Sequence, residues 1–217
     1  MQLQYITQDL PEKTHQELAE TACSLGIKWV QLRMKHYCFD DCRKIAEETL
    51  AITKKYGAKL IINDFMEVAL AVKADGVHLG KEDMDISIAK KMAPPEFIIG
   101  GTANTFEDVQ RLALASVNYI GLGPYSFTKT KIKLSPILGL QGYQDIIKQC
   151  KLNHIETPIV AIGGILPGDV AALMETGISG MAISSAITHA ADQEDVVREF
   201  SAQLRRSEGK KVARELC

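Results

Sequence analysis

Long hydrophobic runs are missing from this 217-residue chain. No apolar stretch approaches the roughly 20 residues that a bilayer-spanning helix needs, so no membrane role is expected. An excess of one charge is missing too: Lys and Arg total 25 against 27 Asp and Glu, a net charge of −2. Such a balance gives no global pull toward nucleic acid or an anionic membrane, and any anion must be held by a local cluster. A disulfide framework is lacking as well. The five cysteines (Cys23, Cys38, Cys42, Cys150 and Cys217) make an odd count. Without a recognisable signal peptide, that count fits reduced thiols in the cytoplasm. Cys38 and Cys42 have the spacing to share a helix face, but two thiols are an incomplete zinc site. With no low-complexity linker, a single domain over 1–217 is expected, its charged tail "RRSEGKKVAREL" beginning at about 205.

What is present is an ordinary globular composition, 46% hydrophobic and 24% charged, enough for a sizeable core. Short β-prone runs recur along the chain: "LQYIT", "KWVQL", "KLII", "GVHL", "FIIG", "NYIGL", "PIVAI" and "SGMAI". Helical spacing separates them. Thr14 and Glu17 form a capping box ahead of Leu18, Ala22 and Leu25, with Gly26 as a stop, and Thr105 with Asp108 repeats the signature. Most of the runs look buried on both faces, as parallel strands under helices do. Eight βα units predict an α/β fold, a (β/α)8 TIM barrel, with an open doubly wound sheet as the alternative.

Barrel enzymes carry their sites at the C-terminal ends of the strands, and the unusual polar residues collect there. Gln31, Arg33 and Lys35 follow the second strand at alternate positions, where period-two geometry points them the same way. Desolvated cations at a strand end call for an anionic partner, although an ion pair or a solvated rim would also account for them. Asn63 and Asp64 follow the third strand and His78 and Asp83 the fourth. Taken singly these are a turn former, helix caps and a core histidine. Together the two aspartates suit one Mg²⁺, an ion that takes one or two carboxylates plus substrate phosphates. Thr102 follows the fifth strand, "GPYSFTKTKIK" the sixth, "AIGGI" the seventh, and "AISSAI" ends the eighth. Glycines at 163 and 164 allow close approach of a ligand to the backbone or make a tight turn, and the loops after strands seven and eight are a recurrent phosphate site. This combination predicts Mg²⁺-assisted chemistry on a diphosphate, with a monophosphate held nearby.

The motifs "QLRMK", "IINDF", "ADGVHLGKED", "IIGGTANT", "GLGPYSFTKTK", "AIGGI" and "MAISSAI", in this order from about Tyr5 to Ile187, resemble the thiamine phosphate synthase (thiamine phosphate pyrophosphorylase) family. The resemblance implies a (β/α)8 barrel, agreeing with the count of units. It also implies a transferase joining a hydroxymethylpyrimidine diphosphate to a phosphorylated thiazole, releasing pyrophosphate through a carbocation-like step. Carried over residue by residue, it implies that Gln31, Arg33, Lys35 and Asn63 contact the pyrimidine diphosphate and that Asp64 and Asp83 bind Mg²⁺. Thr102 and Lys131 would meet the leaving diphosphate. Thr128 and Thr130 would line the thiazole phosphate side, and Gly164, Ser184 and Ser185 would complete its cradle. His78 matches the family's "GxHxG" histidine. Lys131, Thr102, Arg33 and Lys35 are the implied catalytic groups; Lys129 and Lys133 are assigned to solvent.

Three positions depart from the family pattern: Lys81 stands for a glutamine, Thr102 for a serine and Asn104 for a histidine. Lys81 is expected to add a cation beside the metal. The competing readings are a thiazole tautomerase-like barrel, another phosphate-binding barrel such as a sugar-phosphate isomerase, and a non-catalytic paralogue binding thiamine precursors. The first lacks the "TxTK" loop and uses the histidine that is Asn104 here. The second leaves Asp64, Asp83 and the basic loop unexplained. Small-molecule phosphorylated pyrimidine and thiazole partners, and no nucleic acid, are expected, with a homo-oligomer possible.

Overall fold

The β-prone runs become strands because their side chains are buried on both faces. In the computed structural model, which describes residues 3–127 and 136–215, strand and helix alternate throughout. The elements in order are β1 (Leu3–Ile6), α1 (His15–Ser24), β2 (Trp29–Leu32), α2 (Phe39–Lys55), β3 (Lys59–Asn63), α3 (Met66–Val72), β4 (Gly76–Leu79), α4 (Ile86–Met92) and β5 (Ile98–Ala103). There follow α5 (Phe106–Leu114), β6 (Tyr119–Leu122), α6 (Gly139–Leu152), β7 (Ile159–Ile162), a 3-10 turn (Pro167–Asp169), α7 (Val170–Thr176), β8 (Gly180–Ile183), α8 (Ser185–Thr188) and α9 (Gln193–Glu215).

Among the described residues the eight strands pair in sequence order, all parallel, and β1 closes the ring against β8 through Leu3↔Met181 and Tyr5↔Ile183. That closure decides for the barrel over the open sheet. The side-chain period of two then divides each strand. One parity fills the barrel with Ile6, Trp29, Ile61, Ile98, Tyr119, Val160 and Ala182. The other packs outward under the helices, where Leu32, Leu60, Ile62, Leu122 and Met181 are fully buried. Burying a side chain of this size stabilises by about 1.5–3 kcal/mol.

The helices begin where the sequence says they should. Thr14 and Glu17 cap α1 reciprocally, and Thr105 and Asp108 do the same for α5. The charged tail continues the last helix, α9, which runs to Glu215. Cys38 is the exposed N-cap residue of α2 and Cys42 is buried one turn on, with Cys38 Sγ donating to Asp41. No helix among the described residues is long and apolar enough to cross a membrane.

Candidate active site

The C-terminal ends of β2 to β5, β7 and β8, with the loops that follow them, bring eleven of the expected residues to one mouth of the barrel. Gln31 faces inward from β2 and is 2% exposed, its Nε2 donating to Gln4 Oε1 at 3.1 Å. Alternation carries Arg33 and Lys35 up the same side toward solvent. Arg33 is half-buried; its backbone N–H donates to Thr7 Oγ1 at 3.1 Å. Burial draws its guanidinium pKa down, and the charges of Asp64 and Asp9 work against that. Lys35 is exposed, and its Nζ lies 2.5 Å from Asp64 Oδ2. The anionic partner that these cations call for is therefore the aspartate of the neighbouring strand.

Asp64 leaves β3 in the left-handed region (φ 66°), which Asp tolerates better than most residues. Its N–H donates to His78 O at 2.8 Å. Neither Asp64 nor Asp83 caps a helix. Phe65 is the N-cap residue of α3, and Asp85 caps α4 through Ser87 N. Asp83 turns back on its own loop, accepting from Gly80 N at 2.6 Å. The two carboxyls are close enough to shift each other's titration. Desolvation, the hydrogen bond with Asp64 and its charge push Asp83 up to about 6. Burial also acts to raise Asp64, but the hydrogen bonds with Asp83 and Lys35 outweigh it and hold that carboxyl low.

A pair of neighbouring carboxyls, one of them pushed up by the charge of the other, is a place where positive charge is wanted. Its donors are all hard oxygens, which suits Mg²⁺. Among the described residues no group of three or more His, Cys, Asp or Glu forms a metal cage. Two carboxylates with open positions beside them instead fit an ion whose remaining ligands are water and phosphate oxygens.

Asn63, 6% exposed, pairs in register with His78 and leaves its Nδ2 buried without a partner. An unsatisfied amide donor costs about 1–3 kcal/mol, and here it lies at a strand end beside the acidic pair. His78 Nε2 meets Thr102 Oγ1 at 2.9 Å. Ser184 donates its hydroxyl hydrogen to Ile6 O at 2.7 Å, and Ser185 opens α8, half-buried. The glycine pair after β7 takes φ values of 95° and 69°, and a Cβ on Gly164 would stand 2.6 Å from Phe127 O. The two loops thus pack backbone against backbone, with Ser126 N donating to Gly163 O at 2.9 Å. Thr128, Thr130 and Lys131, with Lys129 and Lys133, lie outside the described residues.

The other two departures from the family pattern also have structural partners. Lys81 does not stand free beside the aspartates; its Nζ is 2.5 Å from Asp108 Oδ2. Asp108 is the carboxylate that caps α5, accepting from Asn104 N at 2.9 Å and Thr105 N at 3.1 Å. Asn104 Nδ2 in turn donates to Gly123 O at the end of β6. Sequence reasoning missed the buried groups behind this mouth. His15, 3% exposed, reaches Thr7 Oγ1 at 2.8 Å and Asp9 Oδ1 at 3.0 Å, tying α1 to the backbone of Arg33. Gln4 and Tyr119 lie inside the barrel. Gln4 had a signal, being a polar residue on the inward parity of "LQYIT"; Tyr119 reads as an ordinary core aromatic.

Comparison with known proteins gives the family. The family model described as thiamine monophosphate synthase matches residues 3–187. The chain is 46% identical over 192 residues to a thiamine-phosphate synthase of Bacteroides fragilis, covering 88% of this chain and 94% of that one. It is also 46% identical over 202 residues to one from Flavobacterium johnsoniae, covering 93% and 95%. A solved thiamine phosphate pyrophosphorylase of Pyrococcus furiosus superposes with a TM-score of 0.83 at 30% identity, covering 95% of this chain and 96% of its own. The chain belongs to the thiamine monophosphate synthase family.

Proposed function

We propose that this protein condenses hydroxymethylpyrimidine diphosphate with a phosphorylated thiazole, giving thiamine phosphate and pyrophosphate with Mg²⁺ held by Asp64 and Asp83. The reading is carried by the contact of the two carboxyls beside Lys35, at the strand ends where barrels do their chemistry. Asp64 and Asp83 would hold Mg²⁺ there, and the bound ion would supply positive charge to the departing diphosphate.

The chain's own residues do the rest. Arg33 and Lys35 place two cations beside the leaving group, and Lys131 brings a third from the loop after β6. The carbon–oxygen bond to diphosphate breaks with its electron pair going to oxygen. Charge then grows on the phosphate oxygens, where preorganised cations stabilise it without reorganising. The Thr102 hydroxyl donates to the same group. Gln31 and Asn63 hold the pyrimidine by amide hydrogen bonds, which in Asn63 would satisfy an otherwise orphaned Nδ2. The thiazole phosphate is held by Thr128, Thr130, Gly164, Ser184 and Ser185, so that its ring nitrogen captures the cationic pyrimidine methylene carbon once diphosphate has left.

The experiment supplies purified protein with Mg²⁺ and both precursors. Thiamine phosphate and pyrophosphate should form in equal amounts, only when both precursors are present, and a chelator should stop them. Pyrophosphate released from the pyrimidine alone, or full turnover with chelator, would overturn the reading.

A further inference from the structure

Below the mouth, Gln4, Gln31, His78 and Tyr119 meet inside the barrel, and none is more than 6% exposed. The two rings are seated where neighbouring strands carry glycine. A Cβ on Gly100 would stand 2.2 Å from Tyr119 Cζ, and one on Gly121 would stand 3.0 Å from His78 Cε1. Trp29 meets the Tyr119 ring edge-on, at 4.9 Å between centroids and 76° between planes. Packed on these sides, neither ring has room to turn.

The polar atoms form a directed chain. Tyr119 OH lies 3.0 Å from His78 Nδ1, and His78 Nε2 lies 2.9 Å from Thr102 Oγ1. Gln31 Nε2 donates to Gln4 Oε1 at 3.1 Å. Burial keeps the phenol protonated. Among the described residues the imidazole is the hydrogen-bond partner of this buried phenol, so its O–H donates there rather than leave its hydrogen unpaired. A ring nitrogen that accepts leaves the other nitrogen as the N–H of neutral histidine.

We propose that Tyr119 is a positioning residue: by donating to His78 Nδ1 it fixes the Nε2–H tautomer, which donates to Thr102 Oγ1 and turns the threonine hydrogen toward the leaving diphosphate. With the other tautomer, Thr102 would spend its hydrogen on His78 and face the substrate as an acceptor, against an anion. The inference rests on the role given to Thr102 in the reading above.

The test begins with the resting wild-type protein. Long-range proton–nitrogen NMR on isotopically labelled histidine, assigned with a His78→Gln variant, should show His78 as the Nε2–H tautomer; the Nδ1–H tautomer would overturn the proposal. Tyr119→Phe keeps the ring and removes only the hydroxyl. It should lose the single tautomer and lower kcat about tenfold, with KM for the pyrimidine substrate changed by less than about twofold. In a Thr102→Ala background the same substitution should have no further effect on kcat. An equal loss in both backgrounds would mean a merely structural role and would also overturn the proposal. Because the tautomer is read without substrate, failure of the two-precursor assay would remove the activity while leaving this measurement standing. An active enzyme with the Nδ1–H tautomer would remove only the role of Tyr119.

Discussion

Lys35 Nζ closes on Asp64 Oδ2 at 2.5 Å, while the charge of Asp64 and the burial of the site push the neighbouring carboxyl of Asp83 up to about 6. Two carboxylates this close repel when both are ionised, so the arrangement costs stability until a cation joins it. Asp83→Asn should therefore act in opposite directions on two measurements. Without metal, thermal melting in chelator should show a higher Tm than wild type. In the assay, the Mg²⁺ concentration for half-maximal rate should rise at least about tenfold. A lower Tm together with an unchanged metal titration would mean that the pair is a structural contact.

Lys131 is the cation of the "TxTK" loop assigned to the leaving diphosphate. Its contribution grows as charge develops, so Lys131→Ala should act on kcat more than on KM. A loss of about a hundredfold or more in kcat is expected from removing one such group. Lys129→Ala, two residues away and assigned to solvent, should stay within about twofold. Steady-state kinetics on the pair checks the assignment; equal losses in both variants would refute it.

Much of this organisation was legible along the chain. Each of the eight β-prone runs contains or overlaps a strand, because buried parallel strands need continuous apolar residues. Both capping boxes were found, because the motif is local. Closure was not legible: it depends on Leu3 meeting Met181, and no period within a strand encodes that. Lys81 was misplaced for a similar reason. Its sequence neighbours are the aspartates of the loop after β4, but its spatial partner is Asp108 on the next helix. The aspartates themselves were ambiguous until their carboxyls were seen to meet, since Asp85, two residues beyond Asp83, is the helix cap. Tyr119 stayed hidden because its neighbours in "NYIGL" mark it as core, which it also is.

Gly100 tests how tightly that interior is filled. A methyl group there would stand 2.2 Å from Tyr119 Cζ and 2.4 Å from Cε1, on a ring already held by Trp29 and His78. Gly100→Ala should cost about 1–3 kcal/mol through overpacking. Gly168→Ala is the control, since nothing lies within 4 Å of its built Cβ. That change should stay within about 0.5 kcal/mol of wild type. Urea denaturation of both variants measures the difference, and equal stabilities would refute the close packing.

His15 gives the fold a dependence on acidity. Burial lowers its pKa from the ordinary 6.5; the hydrogen bond and charge of Asp9 oppose that, and the charge of Arg33 adds to it. Thr7 Oγ1 holds the second ring nitrogen at 2.8 Å, and the Tyr37 ring stands edge-on at 5.8 Å. As pH falls through about 6.5 the unfolded chain takes up the proton first, so the unfolded state binds more protons than the native one. Stability from this group is therefore complete above the unfolded pKa and is lost as pH falls. Other carboxylates also weaken the fold in acid, so the contribution must be read as a difference. The stability gap between wild type and His15→Gln, from urea unfolding, should narrow in favour of the variant between about pH 7.5 and pH 5. A gap that stays constant would mean that His15 does not titrate differently in the native and unfolded chains. A gap that widens as pH falls would reverse the sign and make Asp9 the dominant influence on the imidazole.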